Sequence, residues 1–144
     1  MTTTTNTKNI AVRYAETADG AAILRSDKHI ASEELYRSIS VNRVYAALYG
    51  KSFAGWLRYN LFWDNTPFLN MLFVLPPYRG KGCGGALLRF WESEMLSAGY
   101  DFAMTSTAAA ESARFFYEKF GYVQCGGFYP ARDGYELLYK KKLR

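Results

Sequence analysis

The feature that most constrains this chain is an apolar strand that runs into two prolines and then into a glycine-rich turn. The stretch extends from Leu72 to Gly85 and has the sequence LFVLPPYRGKGCGG. Proline cannot continue a strand, and the apolar run from Ala86 to Leu96 predicts a helix directly after the turn. Glycine destabilises regular structure, so four glycines between positions 80 and 85 need a geometric reason. Bare N–H groups at the start of a helix bind anions, and the turn therefore predicts a phosphate site.

Two charged residues in the turn favour the same interpretation. Arg79 and Lys81 add positive charge at a helix N-terminus, where the helix dipole already attracts anions. The turn lacks the Gly-x-Gly-x-x-Gly spacing of dinucleotide-binding loops, because its glycines recur too closely. It also lacks the Gly-Lys-Ser/Thr of a Walker loop. The predicted ligand is therefore a phosphate-bearing molecule that is bound in another way.

The pattern Arg79-x-x-Gly82-x-Gly84 resembles the coenzyme A pyrophosphate loop of the GNAT superfamily of N-acetyltransferases, which has Gln or Arg at its first position. A second stretch, ARFFYEKFGY at residues 113–122, resembles the same superfamily's helix that ends in Tyr-x-x-x-Gly-Phe/Tyr, with Tyr117 at the tyrosine position. The two patterns stand in the superfamily's order, and the resemblance covers roughly residues 68–128. The N-terminal half of the chain agrees only in the order of its elements.

Apolar alternation and helical periodicity predict the elements that such a fold requires. The predicted strands are 10–14, 42–49, 53–63, 68–75, 101–105, 122–128 and 134–141. The predicted helices begin near Gly20, directly after Ser32, at position 83 and near position 109, with Ser32 as the cap of the second helix and Thr107 as the cap of the last. By resemblance the fold class is α/β (α+β), a GNAT-like mixed and mostly antiparallel sheet of about six or seven strands flanked by about four helices. Strands 68–75 and 101–105 are expected to form its parallel pair through a right-handed crossover.

The composition is typical of a globular single-domain protein. The 144 residues are 49% apolar, which predicts one domain over residues 9–144 after a polar, disordered tail of residues 1–8. No stretch approaches the roughly 18 apolar residues of a membrane span, and the first residues lack the apolar core of a signal peptide. Two cysteines and one histidine, without metal-ligand spacing, predict no metal site and a reducing cytoplasm.

The net charge of +5 is compatible with more than one class of function. A phosphate-bearing small ligand accounts for part of it. A basic nucleic-acid-binding module would place basic and aromatic residues on one strand face, whereas this sequence scatters them. A coenzyme A-binding protein without catalysis is the other alternative to the enzyme that the resemblance implies.

The resemblance implies an acyltransferase that moves the acetyl group of acetyl-coenzyme A, its cosubstrate, directly to a primary amine. We expect the acceptor to be a small molecule or a peptide, because no acidic groove for a basic protein tail is visible in the sequence. We expect no nucleic acid and no membrane as partners, and a monomer or a homodimer.

The resemblance also implies which residues bind the coenzyme. The backbone N–H groups of the turn, together with Arg79 and Lys81, would bind the pyrophosphate, and the pantetheine arm would lie along the end of the preceding strand. Leu72 would donate its N–H to the thioester carbonyl oxygen, as in an oxyanion hole. Cys83 lies in the phosphate turn and is not placed as a nucleophile. The complete set is Leu72, Phe73, Val74, Arg79, Gly80, Lys81, Gly82, Cys83, Gly84 and Gly85.

Tyr117 is open to two interpretations. Its position on the apolar face of the predicted helix indicates a core residue. The resemblance implies instead that it is the general acid, which donates a proton to the departing coenzyme A thiolate, since a tyrosine keeps its proton at neutral pH. The superfamily often has an asparagine where this chain has Ala110, and Thr105 or Ser106 are the candidates to replace its hydrogen bond.

The sequence does not fix the general base. An amine is mostly protonated at about pH 7 and needs a carboxylate, a histidine or a water molecule to remove its proton. The candidates are Asp64, Glu136, His29 and a water near Asn70. A set of aromatic side chains belongs either to the acceptor pocket or to the core: Trp56, Tyr59, Phe62, Trp63 and Tyr129.

Overall fold

The computed structural model of the chain describes residues 2–4, 9–132 and 134–144, which form a mixed sheet and several helices. The strands are β1 (Thr2–Thr4), β2 (Ile10–Tyr14), β3 (Val44–Tyr49), β4 (Ser52–Phe62), β5 (Thr66–Val74), β6 (Phe102–Ala108), β7 (Val123–Phe128) and β8 (Glu136–Lys142). The helices are α1 (Gly20–Ser26), α2 (Ser32–Ser40), α3 (Cys83–Ser97) and α4 (Ala113–Lys119), and short 3₁₀ helices lie at Thr17–Asp19 and Pro76–Tyr78. The strands are hydrogen-bonded in the order β1-β2-β3-β4-β5-β6-β8-β7.

The chain divides into two compact units. The first unit consists of Met1–Tyr59 and Met71–Ser93, and the second unit consists of Asn60–Asn70 and Glu94–Arg144. Because β4, β5 and α3 cross these limits, each contributes residues to both units. That residues 9–144 act as a single domain stays a prediction.

In the first unit, helices cover both faces of the antiparallel strands β2, β3 and β4. Val44 and Ala46 of β3 pack with Ile23 of α1 and with buried residues of α2 in one apolar cluster. Tyr45 points to the opposite face, since neighbouring strand residues alternate, and its ring meets Phe90 of α3 edge-on at 5.0 Å. The alternation of β3 therefore places α1 and α2 on one face of the strands and α3 on the other.

In the second unit, β6 lies between β5 and β8. It runs parallel to β5 and antiparallel to β8. β7 is the edge strand beside β8, and most of its residues are exposed. Tyr139 of β8 donates a hydrogen bond from its hydroxyl to Glu118 of α4 at 2.7 Å, which ties this helix to the strands.

A tight turn of Trp63, Asp64 and Asn65 joins β4 to β5. The N–H of Asn65 donates to the carbonyl oxygen of Phe62 at 3.2 Å. The two residues between them, Trp63 and Asp64, have φ angles of 55° and 64°. Positive φ at both central positions is typical of the type I′ hairpin turn, which favours Asn followed by Gly. The turn therefore holds a bulky tryptophan in a backbone conformation that it disfavours.

The predicted fold class is confirmed by the mixed, mostly antiparallel sheet, its parallel pair of β5 and β6, and the four α-helices of the described residues. β2 to β8 correspond to the predicted strands, and β1 is an additional one. Of the predicted N-terminal tail, Thr2–Thr4 form this strand, and residues 1 and 5–8 lie outside the described residues.

One predicted helix boundary is wrong. α4 begins at Ala113 and not near position 109, because β6 continues to Ala108 and pairs there with Glu136 of β8. Thr107 is consequently a buried residue of β6, and the prediction that it caps the helix is wrong as well. The prediction that Ser32 caps the second helix is also wrong, because Ala31 is the cap and Ser32 is the first residue of α2.

Candidate functional site

The predicted phosphate site is a turn that places open N–H groups at the start of a long helix. After a short 3₁₀ helix, Gly80 and Gly82 adopt φ angles of 76° and 99°, which glycine tolerates best. α3 then begins at Cys83, and the N–H of Ala86 donates to the carbonyl oxygen of Gly82 at 3.0 Å. The first three N–H groups of α3 precede this bond, so they are open to an acceptor outside the helix. Residues 79–85, called the cradle below, therefore have the backbone geometry of an anion site.

The two basic residues of the cradle have different surroundings. Lys81 is exposed, and its Nζ lies 5.4 Å from the centre of the Tyr49 ring. Arg79 folds back onto the end of β5, where its Nε donates to the carbonyl oxygen of Val74 at 2.8 Å and its guanidinium carbon lies 5.2 Å from the centre of the Phe73 ring. Lys81 therefore adds positive charge to the cradle. The Nε of Arg79 is already hydrogen-bonded to the backbone of β5 and is not free for a ligand.

The thiol of Cys83 is buried at the first turn of α3. Its residue is 1% exposed, and burial raises the pKa of the thiol, although the charge of Lys81 opposes this. A buried thiol with a raised pKa is a poor nucleophile. The structure therefore places Cys83 in an environment that disfavours its thiolate, and that Cys83 is not a nucleophile stays a prediction.

β4 occupies one edge of β5 near its end. The N–H of Leu75 donates to the carbonyl oxygen of Ala54 at 2.8 Å. Gly55 lies so close to β5 that an added β-carbon would be 2.5 Å from the carbonyl oxygen of Phe73. The backbone groups of alternate strand residues point to the same edge, so residues 73 and 75 face β4. The N–H of Leu72 accordingly points to the opposite edge of the strand.

The pairing of β5 with β6 is short. Within the described residues the register contains the pairs Phe68 with Met104 and Leu69 with Thr105, although β5 continues to Val74. The later residues of β5, which include the predicted pantetheine-binding positions, lie beyond this register.

Tyr117 of α4 is a buried tyrosine whose hydroxyl bonds to β6. The residue is 6% exposed, and its hydroxyl forms a hydrogen bond with the hydroxyl of Thr105. The Thr105 hydroxyl also donates to the carbonyl oxygen of Leu69 at 3.0 Å, so toward Tyr117 it is the acceptor. Burial raises the pKa of Tyr117 to about 12. Tyr117 is therefore buried, as its periodicity predicts, and it also retains its proton, as the role of an acid requires.

Thr105 and Ser106, the candidates to replace the superfamily's asparagine, are both bonded inside the protein. Thr105 donates to Leu69, and the Oγ of Ser106 donates to a carboxylate oxygen of Glu136 at 2.8 Å. Sequence reasoning missed both bonds, because the partners are 36 and 30 residues apart and no local pattern links them.

The candidates for the general base lie in different environments. Asp64, His29 and Asn70 are exposed. Glu136 is half-buried at the start of β8, where Ser106 holds its carboxylate. Asn70 also has a side-chain hydrogen bond, which its amide nitrogen donates to the side-chain oxygen of Asn60 at 2.8 Å. Glu136 is the acidic candidate with a defined hydrogen-bonded position, and this position lies in the same unit as α4.

A buried ion pair fixes the segment that follows α1, and sequence reasoning missed it. The side chain of Asp27 is 0% exposed and that of Arg58 is 10% exposed, and two guanidinium nitrogens lie 2.7 and 3.2 Å from the two carboxylate oxygens. Burial alone would raise the pKa of Asp27, but hydrogen bonds from Arg58 and from the backbone N–H of His29, with the guanidinium charge, hold it below its ordinary value. The pair anchors α1 to β4 next to His29.

The aromatic candidates divide between core and surface. Trp56 is fully buried and belongs to the core, and Tyr59 is half-buried. The exposed members are Phe62, Trp63 and Tyr129. The ring of Tyr129 lies beside that of Tyr135, with 5.0 Å between their centres.

Among residues 2–4, 9–132 and 134–144, no three histidine, cysteine or acidic side chains are grouped so that they could bind a metal ion. In the same residues, no helix combines the length and the apolar character that crossing a bilayer requires.

Comparisons with known proteins find similarity in sequence and in fold. Residues 11–122 match the family model described as Acetyltransferase (GNAT) family. A comparison with curated protein sequences finds no match.

Several solved structures have a similar fold. A GNAT-family acetyltransferase from Bacillus cereus is 25% identical, with a TM-score of 0.76 over 92% of this chain and 96% of that chain. The yncA protein of Salmonella typhimurium, solved with its cofactor acetyl-CoA, is 15% identical, with a TM-score of 0.79 over 95% of each chain. Arabidopsis thaliana Naa50, in complex with the bisubstrate analogue CoA-Ac-MVNAL, is 15% identical, with a TM-score of 0.75 over 93% of this chain and 99% of that chain.

Proposed function

The chain belongs to the acetyltransferase (GNAT) family, and from this premise we propose that it transfers the acetyl group of acetyl-coenzyme A directly to a primary amine of a small molecule or a peptide. That it is an acetyl-coenzyme A-dependent acetyltransferase follows from the family. The observation that carries the proposal is the cradle, where the open N–H groups of α3 lie beside the exposed Lys81. Acetyl-coenzyme A supplies an acetyl group that is already activated as a thioester.

We assign the cradle to the pyrophosphate and the end of β5 to the pantetheine arm. Backbone N–H groups at a helix start, with a lysine beside them, provide the donors and the charge that a pyrophosphate requires. Leu72 donates its N–H to the thioester carbonyl oxygen, and the direction of that N–H, away from β4, supports this role. Such a donor bonds more strongly as the oxygen gains negative charge in the transition state.

We assign the role of general acid to Tyr117. Its raised pKa, caused by burial, keeps the hydroxyl protonated at every pH at which the enzyme would be assayed. A protonated hydroxyl can donate a hydrogen bond to the sulfur as negative charge develops on it, and can then supply the proton. Direct transfer, without an acetylated enzyme, is supported by the buried Cys83 thiol with its raised pKa.

Among the candidates for the base we favour Glu136. A base must hold a fixed position next to the amine, and Glu136 is the half-buried candidate whose carboxylate is held by Ser106. Glu136→Gln should lower kcat by about 10²- to 10⁴-fold, because one general base typically contributes that much, whereas Asp64→Asn should leave kcat close to wild type. An unchanged kcat in Glu136→Gln would leave His29 or a water near Asn70 as the base.

The acceptor assignment is supported by the loop between β7 and β8. Tyr129 and Tyr135 present neighbouring aromatic rings there, directly before Glu136, and aromatic faces together with a carboxylate attract an ammonium group. The similar fold of Naa50 is bound to an analogue that joins coenzyme A to a peptide. Both observations favour a small or peptide amine.

We also propose that the enzyme works in a reducing compartment, the cytoplasm. Cys83 and Cys125 are both free thiols, and disulfides form and persist mainly in oxidising compartments.

Two measurements test the proposed function. Calorimetry with acetyl-coenzyme A should show saturable binding, and a screen of amines and short peptides with detection of released thiol should show turnover. Saturable, salt-sensitive binding of a short oligonucleotide without any heat from the coenzyme would overturn the proposal. Coenzyme binding without turnover of any amine would contradict acetyl transfer, and activity confined to lysine side chains of folded proteins would contradict the acceptor class.

A further inference from the structure

Arg79 contacts other residues of the protein in a way that binding an anion would not require. Its Nε donates to the carbonyl oxygen of Val74 at 2.8 Å, and its guanidinium lies over the ring of Phe73. The ring of Phe73 in turn stacks on the fully buried ring of Trp56, with 4.8 Å between the centres. Arg79 is therefore the outermost layer of a stack that reaches from the cradle into the core of the first unit.

The Val74 carbonyl lies on the edge of β5 that we assign to the coenzyme. Residues 73 and 75 face β4, so Val74 faces the same edge as Leu72. The hydrogen bond from Arg79 therefore attaches the cradle to the strand edge that carries the Leu72 N–H. A change in this bond alters the backbone that binds both parts of the coenzyme, and not only its charged part.

Lys81 differs from Arg79 in each of these respects. It is exposed, and its contact is with the face of the Tyr49 ring on β3, which leaves its ammonium group at the surface of the cradle. An ammonium is a compact charge without a planar set of donors, whereas a guanidinium can stack and bond at the same time. The two residues are suited to different tasks.

We propose that Arg79 is a positioning residue, which fixes the end of β5 and the cradle to each other through Val74 and Phe73, while Lys81 supplies positive charge for the pyrophosphate. The inference rests on the proposed use of acetyl-coenzyme A. It assigns to Arg79 an effect on any thioester that binds along β5, including one without phosphate groups.

The donor atom of Arg79 predicts which substitution preserves this role. The Nε of arginine and the amide nitrogen of glutamine are the same number of bonds from Cα, so Arg79→Gln keeps a planar N–H donor for Val74 and removes the charge. Arg79→Lys keeps the charge, but its nitrogen lies one bond further out and has no planar group to stack on Phe73. If Arg79 acts by positioning, Arg79→Gln should be more active than Arg79→Lys. If it acts through its charge, Arg79→Lys should be the more active variant.

The experiment compares kcat/KM for acetyl-coenzyme A and for acetyl-pantetheine, which lacks the pyrophosphate. Arg79→Lys should lower kcat/KM for both thioesters by the same factor, about three- to tenfold, as expected for one lost hydrogen bond. Arg79→Gln should remain closer to wild type with both. Lys81→Met is the matched control, and it should lower kcat/KM for acetyl-coenzyme A by a larger factor than for acetyl-pantetheine.

The opposite pattern would overturn the inference. If Arg79→Lys is more active than Arg79→Gln with acetyl-coenzyme A, and Arg79→Lys equals wild type with acetyl-pantetheine, Arg79 acts through its charge. Circular dichroism and thermal unfolding show whether each variant is folded. We expect both Arg79 variants to fold, because Arg79 is exposed. A wild-type protein that is inactive with both thioesters would overturn the proposed function as well, whereas an active wild type with the reversed order would contradict the role of Arg79 alone.

Discussion

The hydroxyl of Thr105 donates a hydrogen bond to the carbonyl oxygen of Leu69 at 3.0 Å, and this bond determines the direction of the next one. A threonine hydroxyl has one hydrogen, so Thr105 accepts from Tyr117. The tyrosine hydroxyl is thereby oriented as a donor before any substrate is present. An enzyme that uses Tyr117 as an acid would begin its cycle with the proton in place.

Tyr117→Phe should lower kcat by about 10²- to 10⁴-fold, because one general acid typically contributes that much. Coenzyme A affinity should persist, since the ring and its packing remain. Assays of released thiol measure the first quantity, and calorimetry measures the second. Tyr139→Phe is the matched control, because it removes another buried tyrosine hydroxyl, one that donates to Glu118. A kcat within about twofold of wild type in Tyr117→Phe would assign Tyr117 to the core alone.

Alkaline pH should destabilise the protein through the same residue. Burial raises the pKa of Tyr117 to about 12 in the folded state, whereas an unfolded tyrosine titrates near pH 10. The unfolded state therefore loses its proton first. The contribution of Tyr117 to stability is complete below about pH 10 and is lost as the pH rises toward about 12, by roughly 2–3 kcal/mol.

Urea unfolding of wild type and Tyr117→Phe across this interval measures the effect. The variant should lose less free energy of unfolding as the pH rises. Burial and the bond to Glu118 also raise the pKa of Tyr139, so both proteins should still lose some stability. Equal slopes in the two proteins would contradict the raised pKa of Tyr117.

Gly82→Asp should abolish coenzyme A binding, because it adds a side chain and a negative charge where the pyrophosphate is expected to contact the backbone. Gly99→Asp is the matched control. Gly82 and Gly99 have φ angles of 99° and 96°, so the same substitution imposes similar backbone strain at both, about 1–2 kcal/mol. Thermal unfolding should therefore show similar losses of stability, whereas calorimetry should show lost affinity for Gly82→Asp alone. Similar affinities in the two variants would remove the cradle from the coenzyme site.

Arg58→Met should lower the free energy of unfolding by about 3–5 kcal/mol, because it leaves the buried carboxylate of Asp27 without its partner. Asp27→Asn combined with Arg58→Met should recover part of this loss. Arg144→Met is the control, since Arg144 pairs with Asp101 at 61% exposure on both sides, and it should change stability by at most about 1 kcal/mol.

Because the pKa of Asp27 is lowered, the stabilisation by the buried pair is present above the ordinary aspartate pKa and is lost as the pH falls through the pKa of Asp27 in the folded protein. Urea unfolding at neutral and acid pH checks both statements, and equal losses in the buried and exposed pairs would contradict them.

The strands and the cradle could be predicted because their causes are local. Alternating apolar residues predict β5, two prolines end it, and glycines at positions 80 and 82 meet the positive φ angles of the turn. The start of α4 could not be predicted in this way. Ala109 and Ala110 favour a helix by propensity, but β6 continues to Ala108 because that residue pairs with Glu136, which is distant in sequence.

The roles of the polar side chains depend on contacts that the sequence does not contain. Arg79 lies in the cradle by position, yet its bond to the Val74 carbonyl exists only because β5 and the turn fold back on each other. The sequence does not distinguish Glu136 from the other candidates for the base, because the hydrogen bond from Ser106 to its carboxylate joins residues that are far apart in the chain. The assignments of acid, base and oxyanion donor stay predictions, and the Tyr117 and Glu136 variants test the first two.

The turn at Trp63 and Asp64 has a consequence for protein engineering. Both residues occupy the left-handed region, which costs an ordinary residue about 1–2 kcal/mol. Trp63→Asn combined with Asp64→Gly would give the hairpin the residues that its geometry favours and would also remove a tryptophan that is 79% exposed. A chain with this hairpin should melt at a higher temperature and aggregate less readily, so the β4–β5 turn is the natural place to begin making a more robust biocatalyst from this fold.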